Sequence, residues 1–219
     1  ILVAACGVGA QTRIIAQKNP GSKFISVDLS EKSLSTAAQV IDALDIKNVE
    51  FRQADIFDLP YENGFFDHVF VCFLLEHVSK PGDALQELKR VLKPGGTITV
   101  IEGDHGSTYF YPETSVAVKA VQAQVTLQKH NGGNANIGRQ LYPLLSTAGF
   151  VNINVNPRQV YVDDSKPDMK DAFIRNTFTA MIKGVTEEAI SKGVITRQDM
   201  ENGIADLYHT ANSGGSFCY

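Results

Sequence analysis

Five strand-like runs in this sequence lead into residues able to do chemistry. Gly7 and Gly9 follow Ile1-Leu2-Val3-Ala4, and Asp28 follows Phe24-Ile25-Ser26-Val27. Asp55 comes just after Val49 to Gln53. Glu76 and His77 come after the run that ends at Phe73, and Glu102, Asp104 and His105 after Thr97 to Ile101. Glycines allow a tight turn and close approach of a ligand to the backbone. Asp28 stands nineteen positions beyond Gly9. At about that spacing a carboxylate closing a second strand takes the ribose hydroxyls of a nucleotide lying over the first turn. An ionised carboxylate is an acceptor only, which suits a diol. An adjacent Glu and His can move a proton near neutral pH.

Strands and helices must alternate to line these residues up. Residues 1–5 read as a strand buried on both faces, because the run is apolar without alternation. A helix is expected from about Ala10 to Lys18, stopped by Asn19-Pro20-Gly21. Ser30 is placed to cap a second helix, with Leu34, Ala37, Ala38, Ile41 and Leu44 on one face. Val49 to Gln53, Asp67 to Phe73 and Thr97 to Ile101 read as further strands. Pro81 opens a helix with the stripe Ala84, Leu85, Leu88, Val91 and Leu92, ended by Lys93-Pro94-Gly95-Gly96. This alternation predicts a parallel sheet with right-handed crossovers, whose ligands bind beyond the carboxyl ends of the strands.

The order of signals over residues 1–101 resembles class I S-adenosylmethionine-dependent methyltransferases, and within them the type 11 small-molecule group. Of the family's first motif, acid-x-Gly-x-Gly-x-Gly, this chain has Val3, Ala5, Gly7 and Gly9 at the four positions. Asp28 matches the ribose acid, and Ala54-Asp55-Ile56 with Asp58-Leu59-Pro60 the loop whose Asp accepts from the adenine amino group. Phe65, Asp67 and Leu75-Glu76-His77-Val78 match the fourth-strand motif, and Val91 to Gly96 the turn before strand five. The resemblance implies an α/β fold, a doubly wound Rossmann-like seven-stranded sheet, parallel with an antiparallel last strand. Val151 to Val155 and a strand from Ser216 would supply the final pair, and a helical insertion would lie near the C-terminus. It implies S-adenosyl-L-methionine as cofactor, held by Ala5, Gly7, Gly9, Gln11, Asp28, Leu29, Ala54, Asp55, Ile56 and Phe73. No metal is expected.

Glu76, His77 and His105 are the catalytic candidates, and Glu102, Asp104, Tyr109 and Arg139 the candidates for binding an acceptor. Tyr109-Phe110-Tyr111 reads equally as a lid over an apolar acceptor or as packing. The expected organisation is one methyltransferase domain over 1–219. Its cofactor half is 1–102 and its substrate half 103–219, with a helical insertion at about 168–211. Helical patterns also cover Glu113 to Lys129, Ile137 to Ala148, Asp168 to Lys183 and Thr196 to Ala211. Both ends read as cut, since Ile1 already lies in a strand.

Composition narrows the partners. Hydrophobic residues make up 43% of the 219, charged residues 20%, and the net charge is −4. That balance suits a soluble globular protein and argues against an electrostatic nucleic-acid surface. No apolar stretch is long enough to span a bilayer. Cys6, Cys72 and Cys218 form no CxxC pair and read as small buried residues of a cytoplasmic protein. The resemblance implies a small-molecule methyl acceptor, and the composition adds the expectation of no nucleic acid and no membrane. Two rivals remain. One is a non-catalytic binder on the same scaffold. The other is a nicotinamide-dependent oxidoreductase, which calls for a third glycine where this chain has Thr12.

Overall fold

The computed structural model describes every residue, Ile1–Tyr219. The strands are β1 (Leu2–Ala4), β2 (Phe24–Asp28), β3 (Val49–Gln53), β4 (Phe66–Cys72) and β5 (Leu92–Ile101), with α1 (Ala10–Lys18), α2 (Glu31–Ala43) and α3 (Pro81–Val91) between them. Beyond β5 come β6 (Tyr109–Tyr111), α4 (Ser115–His130), α5 (Leu141–Thr147), β7 (Tyr161–Val162), α6 (Pro167–Met169), α7 (Thr179–Gly184), α8 (Thr186–Ser191), α9 (Arg197–His209) and β8 (Ser216–Cys218). The chain divides into two compact units, Ile1–Glu102 with Gln140–Asn154, and Gly103–Arg139 with Val155–Tyr219.

The first unit holds a five-stranded sheet of order β3-β2-β1-β4-β5, every pair parallel. β1 is central and wholly buried, which is why Leu2-Val3-Ala4 shows no polar alternation. α2 begins where the Ser30 hydroxyl accepts from the Ser33 N–H at 3.2 Å, and it buries Leu34, Ala37 and Ile41. α3 starts at Pro81 and buries Ala84, Leu85, Leu88 and Val91 completely. Each such leucine contributes roughly 2 kcal/mol by leaving water. α5 packs on α3, and Lys89 donates to the carbonyl of Gly149 at 2.5 Å just past the end of α5.

Chain order sets where a ligand belongs. The chain fills the sheet outward from β1 through β2 to β3, then returns to place β4 on the other side of β1. The crossovers therefore diverge between β1 and β4, and that switch point opens a crevice at the carboxyl ends of the two strands.

The second unit has its own antiparallel sheet, β6-β8-β7, and its own core. Phe110 and Phe217 stack across β6 and β8 with ring centroids 5.7 Å apart, and Val162 pairs with Phe217 from β7. Gly203 of α9 faces α4 so closely that a Cβ there would meet the Val116 carbonyl, and Ala120 at 2.7 Å. Between α6 and α7 the helical run continues as a π-helix, Lys170–Phe178. No helix is long and apolar enough to cross a membrane.

The main sheet corrects the seven-stranded expectation: it has five strands, with no antiparallel member. Val151 to Val155 alternates apolar and polar residues yet forms no strand. Asn152 turns at φ 56°, and Val151 is 81% exposed. Alternation buries one face only where a neighbouring strand offers an edge, and none pairs here. The strand expected at Ser216 does form, but in the second unit's sheet, because Phe217 completes that unit's aromatic core. The Tyr109-Phe110-Tyr111 segment forms β6, and α8 is an additional helix. The helix expected over 137–148 is a 3-10 turn, Ile137–Gln140, followed by α5.

Candidate functional site

The turn after β1 is built from backbone that favours glycine. Ala5, Gly7 and Gly9 have φ of 53°, 52° and 78°. A left-handed conformation costs an alanine about 1–2 kcal/mol, so Ala5 carries strain that its surroundings must hold. The Cys6 N–H donates to the Val27 carbonyl at 2.9 Å, and the Gly9 N–H to the Cys6 carbonyl at 3.0 Å. The two glycines differ in what they face. A Cβ on Gly9 would lie 2.9 Å from the Cβ of Ala37 on α2, whereas one on Gly7 would meet nothing within 4 Å. Gly9 therefore serves helix packing, and Gly7 borders open space.

Asp28 is tied into that turn. Its Oδ2 accepts from the Gly7 N–H at 2.8 Å and its Oδ1 from the Ser30 N–H at 2.9 Å. A carboxylate has about four acceptor sites, so capacity remains on both oxygens. Thr12, where a dinucleotide turn has glycine, is fully buried, with its hydroxyl 3.2 Å from that of Ser26 on β2. A side chain thus fills the helix–sheet gap that a third glycine would leave. Gln11 stands exposed on the first turn of α1.

The loop after β3 joins the same edge. The Ala54 N–H donates to the Asp28 carbonyl at 3.2 Å, and Gln53 Nε2 to the Leu29 carbonyl at 2.9 Å. Asp55 is exposed, and its Oδ1 accepts from the Phe57 N–H at 2.9 Å, which shapes its own turn. Leu29 is 67% exposed and Ile56 half-buried. Two residues outside the sequence reading clamp the loop's far side. Glu87 accepts from the Leu59 N–H at 2.7 Å, while Arg90 donates to the carbonyls of Leu59 and Tyr61 at 2.9 and 2.7 Å. Their mutual pairing holds the Glu87 carboxyl below its ordinary range.

At the switch point Phe73 also lies in the left-handed region, φ 53°, and the residue is 44% exposed. Its N–H donates to the Ile101 carbonyl at 2.9 Å. The next three amides, of Leu74, Leu75 and Glu76, donate to the Glu102 carboxylate at 3.0, 2.8 and 3.3 Å. Glu102, a candidate for binding an acceptor, is engaged with backbone on both oxygens. Burial raises its pKa to about 7 despite those three bonds. Glu76 is buried, and its Oε1 lies 3.4 Å from Nε2 of the exposed His77. Cys6 and Cys72 are half-buried rather than fully buried. Burial pushes their thiols up to about 12 and about 11, so neither is a ready thiolate nucleophile.

The remaining candidates belong to the second unit. Asp104 and Arg139 are brought together as a two-point ion pair, Nε–Oδ2 2.8 Å and Nη2–Oδ1 2.6 Å. With the Gly138 N–H donating to the Gly103 carbonyl at 2.9 Å, they close the turn after β5 onto residues 137–140. Each is thus committed to the other, which the sequence alone does not show. His105 is buried with its ring 5.4 Å from that of Tyr219. Tyr109 and Tyr111 point outward and Phe110 inward, so this segment is half packing and half surface.

Parallel order, the switch point and a strained glycine turn bridged to a strand-end acid define a Rossmann-like α/β fold of the nucleotide-cofactor kind. Residues 2–100 match the family model described as "Methyltransferase domain". Residues 2–100 thus form a domain of the type 11 methyltransferase family. The demethylmenaquinone methyltransferase of Lactococcus lactis is 35% identical over 167 residues, covering 70% of this chain and 66% of the relative. An uncharacterized methyltransferase of Schizosaccharomyces pombe is 32% identical over 162 residues, 71% of this chain and 58% of the relative. In fold, the chain is similar to a phosphoethanolamine N-methyltransferase of Haemonchus contortus, solved with phosphomonomethylethanolamine and S-adenosylhomocysteine. There the TM-score is 0.55 at 18% identity, over 99% of this chain and 48% of that one. The chain spans about half the length of the first curated relatives it matches, 51% and 58%.

Proposed function

We propose that this chain is an S-adenosylmethionine-dependent methyltransferase acting on a small-molecule acceptor. One observation carries the reading: Asp28 bridges to the Gly7 turn yet keeps acceptor capacity on both oxygens, beside open space that any side chain at Gly7 would enter. Such a cradle fits a ribose diol next to an amino-acid tail. Family membership over residues 2–100 supports the same ligand class.

In this reading Asp28 accepts from the two ribose hydroxyls, and Leu29 and Ile56 flank the adenine. Asp55 accepts from its amino group while Ala54 keeps the loop registered on β2. Ala5, Gly7, Gly9 and Gln11 border the amino-acid end. The ring of the exposed Phe73 attracts a cation through its π-face. When bound, the cofactor supplies a methyl group on a sulfonium, a leaving group that needs no further activation. The protein then aligns an acceptor lone pair and excludes water. Where the acceptor must lose a proton, His77 takes it, and the adjacent Glu76 stabilises the resulting cation. His105, packed on Tyr219, supports the second unit. A cytoplasmic setting belongs to the same proposal.

The relative named for demethylmenaquinone makes reduced quinones one arm of the test. The chain is incubated with methyl-tritiated S-adenosylmethionine and a panel of quinols, phenols and amines. Label should pass to one acceptor class with equimolar S-adenosylhomocysteine. Tight product binding without transfer on any acceptor would favour the non-catalytic binder. Saturable binding of a nicotinamide nucleotide instead would favour the oxidoreductase.

A further inference from the structure

We propose that Glu102 is a positioning residue: by accepting the amides of Leu74, Leu75 and Glu76 it fixes Phe73 in the left-handed conformation that presents its ring at the β1–β4 switch point. The inference rests on the functional reading above, since it gives the fixed ring a cofactor to meet. Phe73 is held from both sides by consecutive residues. Ile101 takes its N–H, and Glu102 takes the three that follow. A bulky residue at φ 53° persists only where its neighbours over-determine it.

The brace is strongest when ionised, because charge-assisted hydrogen bonds are roughly twice as strong as neutral ones. Burial does most to raise the Glu102 pKa to about 7, and the Glu76 carboxylate adds to it. Cys72, the other titratable group facing it, is a neutral thiol in this range. Protonation below that value weakens the brace, and deprotonation above it restores the brace. At pH 6 only about a tenth of the molecules carry the ionised brace, so apparent affinity falls by up to about tenfold relative to pH 8.

The test compares the wild-type chain, Glu102→Gln and Glu102→Ala by amide hydrogen exchange and by S-adenosylhomocysteine titration at pH 6 and pH 8. Glu102→Gln keeps one carbonyl acceptor but turns an NH2 group toward the Glu76 amide. Wild type should bind roughly three- to tenfold more weakly at pH 6, while Glu102→Gln should change less than about twofold. In Glu102→Ala the Leu74, Leu75 and Glu76 amides should exchange at least about tenfold faster, with β1 and β4 unchanged. Retention of the wild-type pH dependence in Glu102→Gln, or of amide protection in Glu102→Ala, overturns the proposal. Should Glu102→Ala not fold, the Glu102→Gln pH comparison decides. Should wild type bind no S-adenosylhomocysteine at either pH, the functional reading fails, and amide exchange in Glu102→Gln judges the brace by itself.

Discussion

Asp28→Ala should weaken S-adenosylhomocysteine binding by about 1.5–3 kcal/mol, roughly ten- to a hundredfold, in a calorimetric titration. Two effects add. Hydrogen bonds from the ribose hydroxyls to a charged acceptor are lost. The Gly7 and Ser30 amides also lose the carboxylate that pins the turn to the end of β2. Asp28→Asn separates the two. Its side-chain carbonyl can still accept one of those amides, but the charge is gone, so its affinity should fall between wild type and alanine. Stability should fall by about 1–2 kcal/mol, since two amides lose a charged acceptor while α2 keeps its Ser30 cap. Unchanged affinity in Asp28→Ala would remove this residue from the site.

Gly9→Ala should be the most destabilising single change in the turn, by about 2–4 kcal/mol. The new methyl meets two obstacles. The backbone sits at φ 78°, and the Cβ would stand 2.9 Å from that of Ala37 on α2. Since 1 kcal/mol shifts Tm by about 2–4 °C in a chain of this size, the melt should fall by roughly 5–15 °C. Gly7→Ala is the informative contrast. It has similar backbone strain, about 1–2 kcal/mol, but its Cβ enters open space. It should therefore melt nearer wild type while losing more affinity for S-adenosylhomocysteine than its stability loss explains. A Gly9→Ala melt equal to wild type would mean that α2 can yield at Ala37.

The sequence shows the cofactor-side edge because local rules and global fold agree there. An unbroken apolar run, a glycine turn and an acid nineteen positions on leave little choice of topology. Thr12 is legible as a departure from the dinucleotide pattern, but only the structure gives its reason, the buried contact with Ser26. Long-range partners are the part that stays hidden. Glu102 lies on the functional edge, yet its amide partners are 26 to 28 residues away. Asp104 and Arg139 are 35 residues apart and consume each other. Glu87 and Arg90 look like ordinary helix-surface charges until the Leu59–Tyr61 backbone is seen against them. The Val151–Val155 alternation fails for a related reason. Period two describes a strand that has an edge to join, and the pattern carries no information on whether one exists. Phe217 found its partners in Phe110 and Val162, at separations no local rule reaches.

The central claim is that the carboxyl edge of β1, β2 and β3 holds the adenosyl cofactor. Backbone amide chemical shifts, followed as S-adenosylhomocysteine is titrated into the full chain, test it most directly. The predicted result is saturable movement of the Gly7, Gly9, Leu29, Asp55 and Ile56 amides with one common dissociation constant, abolished or shifted to at least about tenfold higher concentration in Asp28→Ala. Saturation with those amides still, and the shifts concentrated elsewhere, would contradict it.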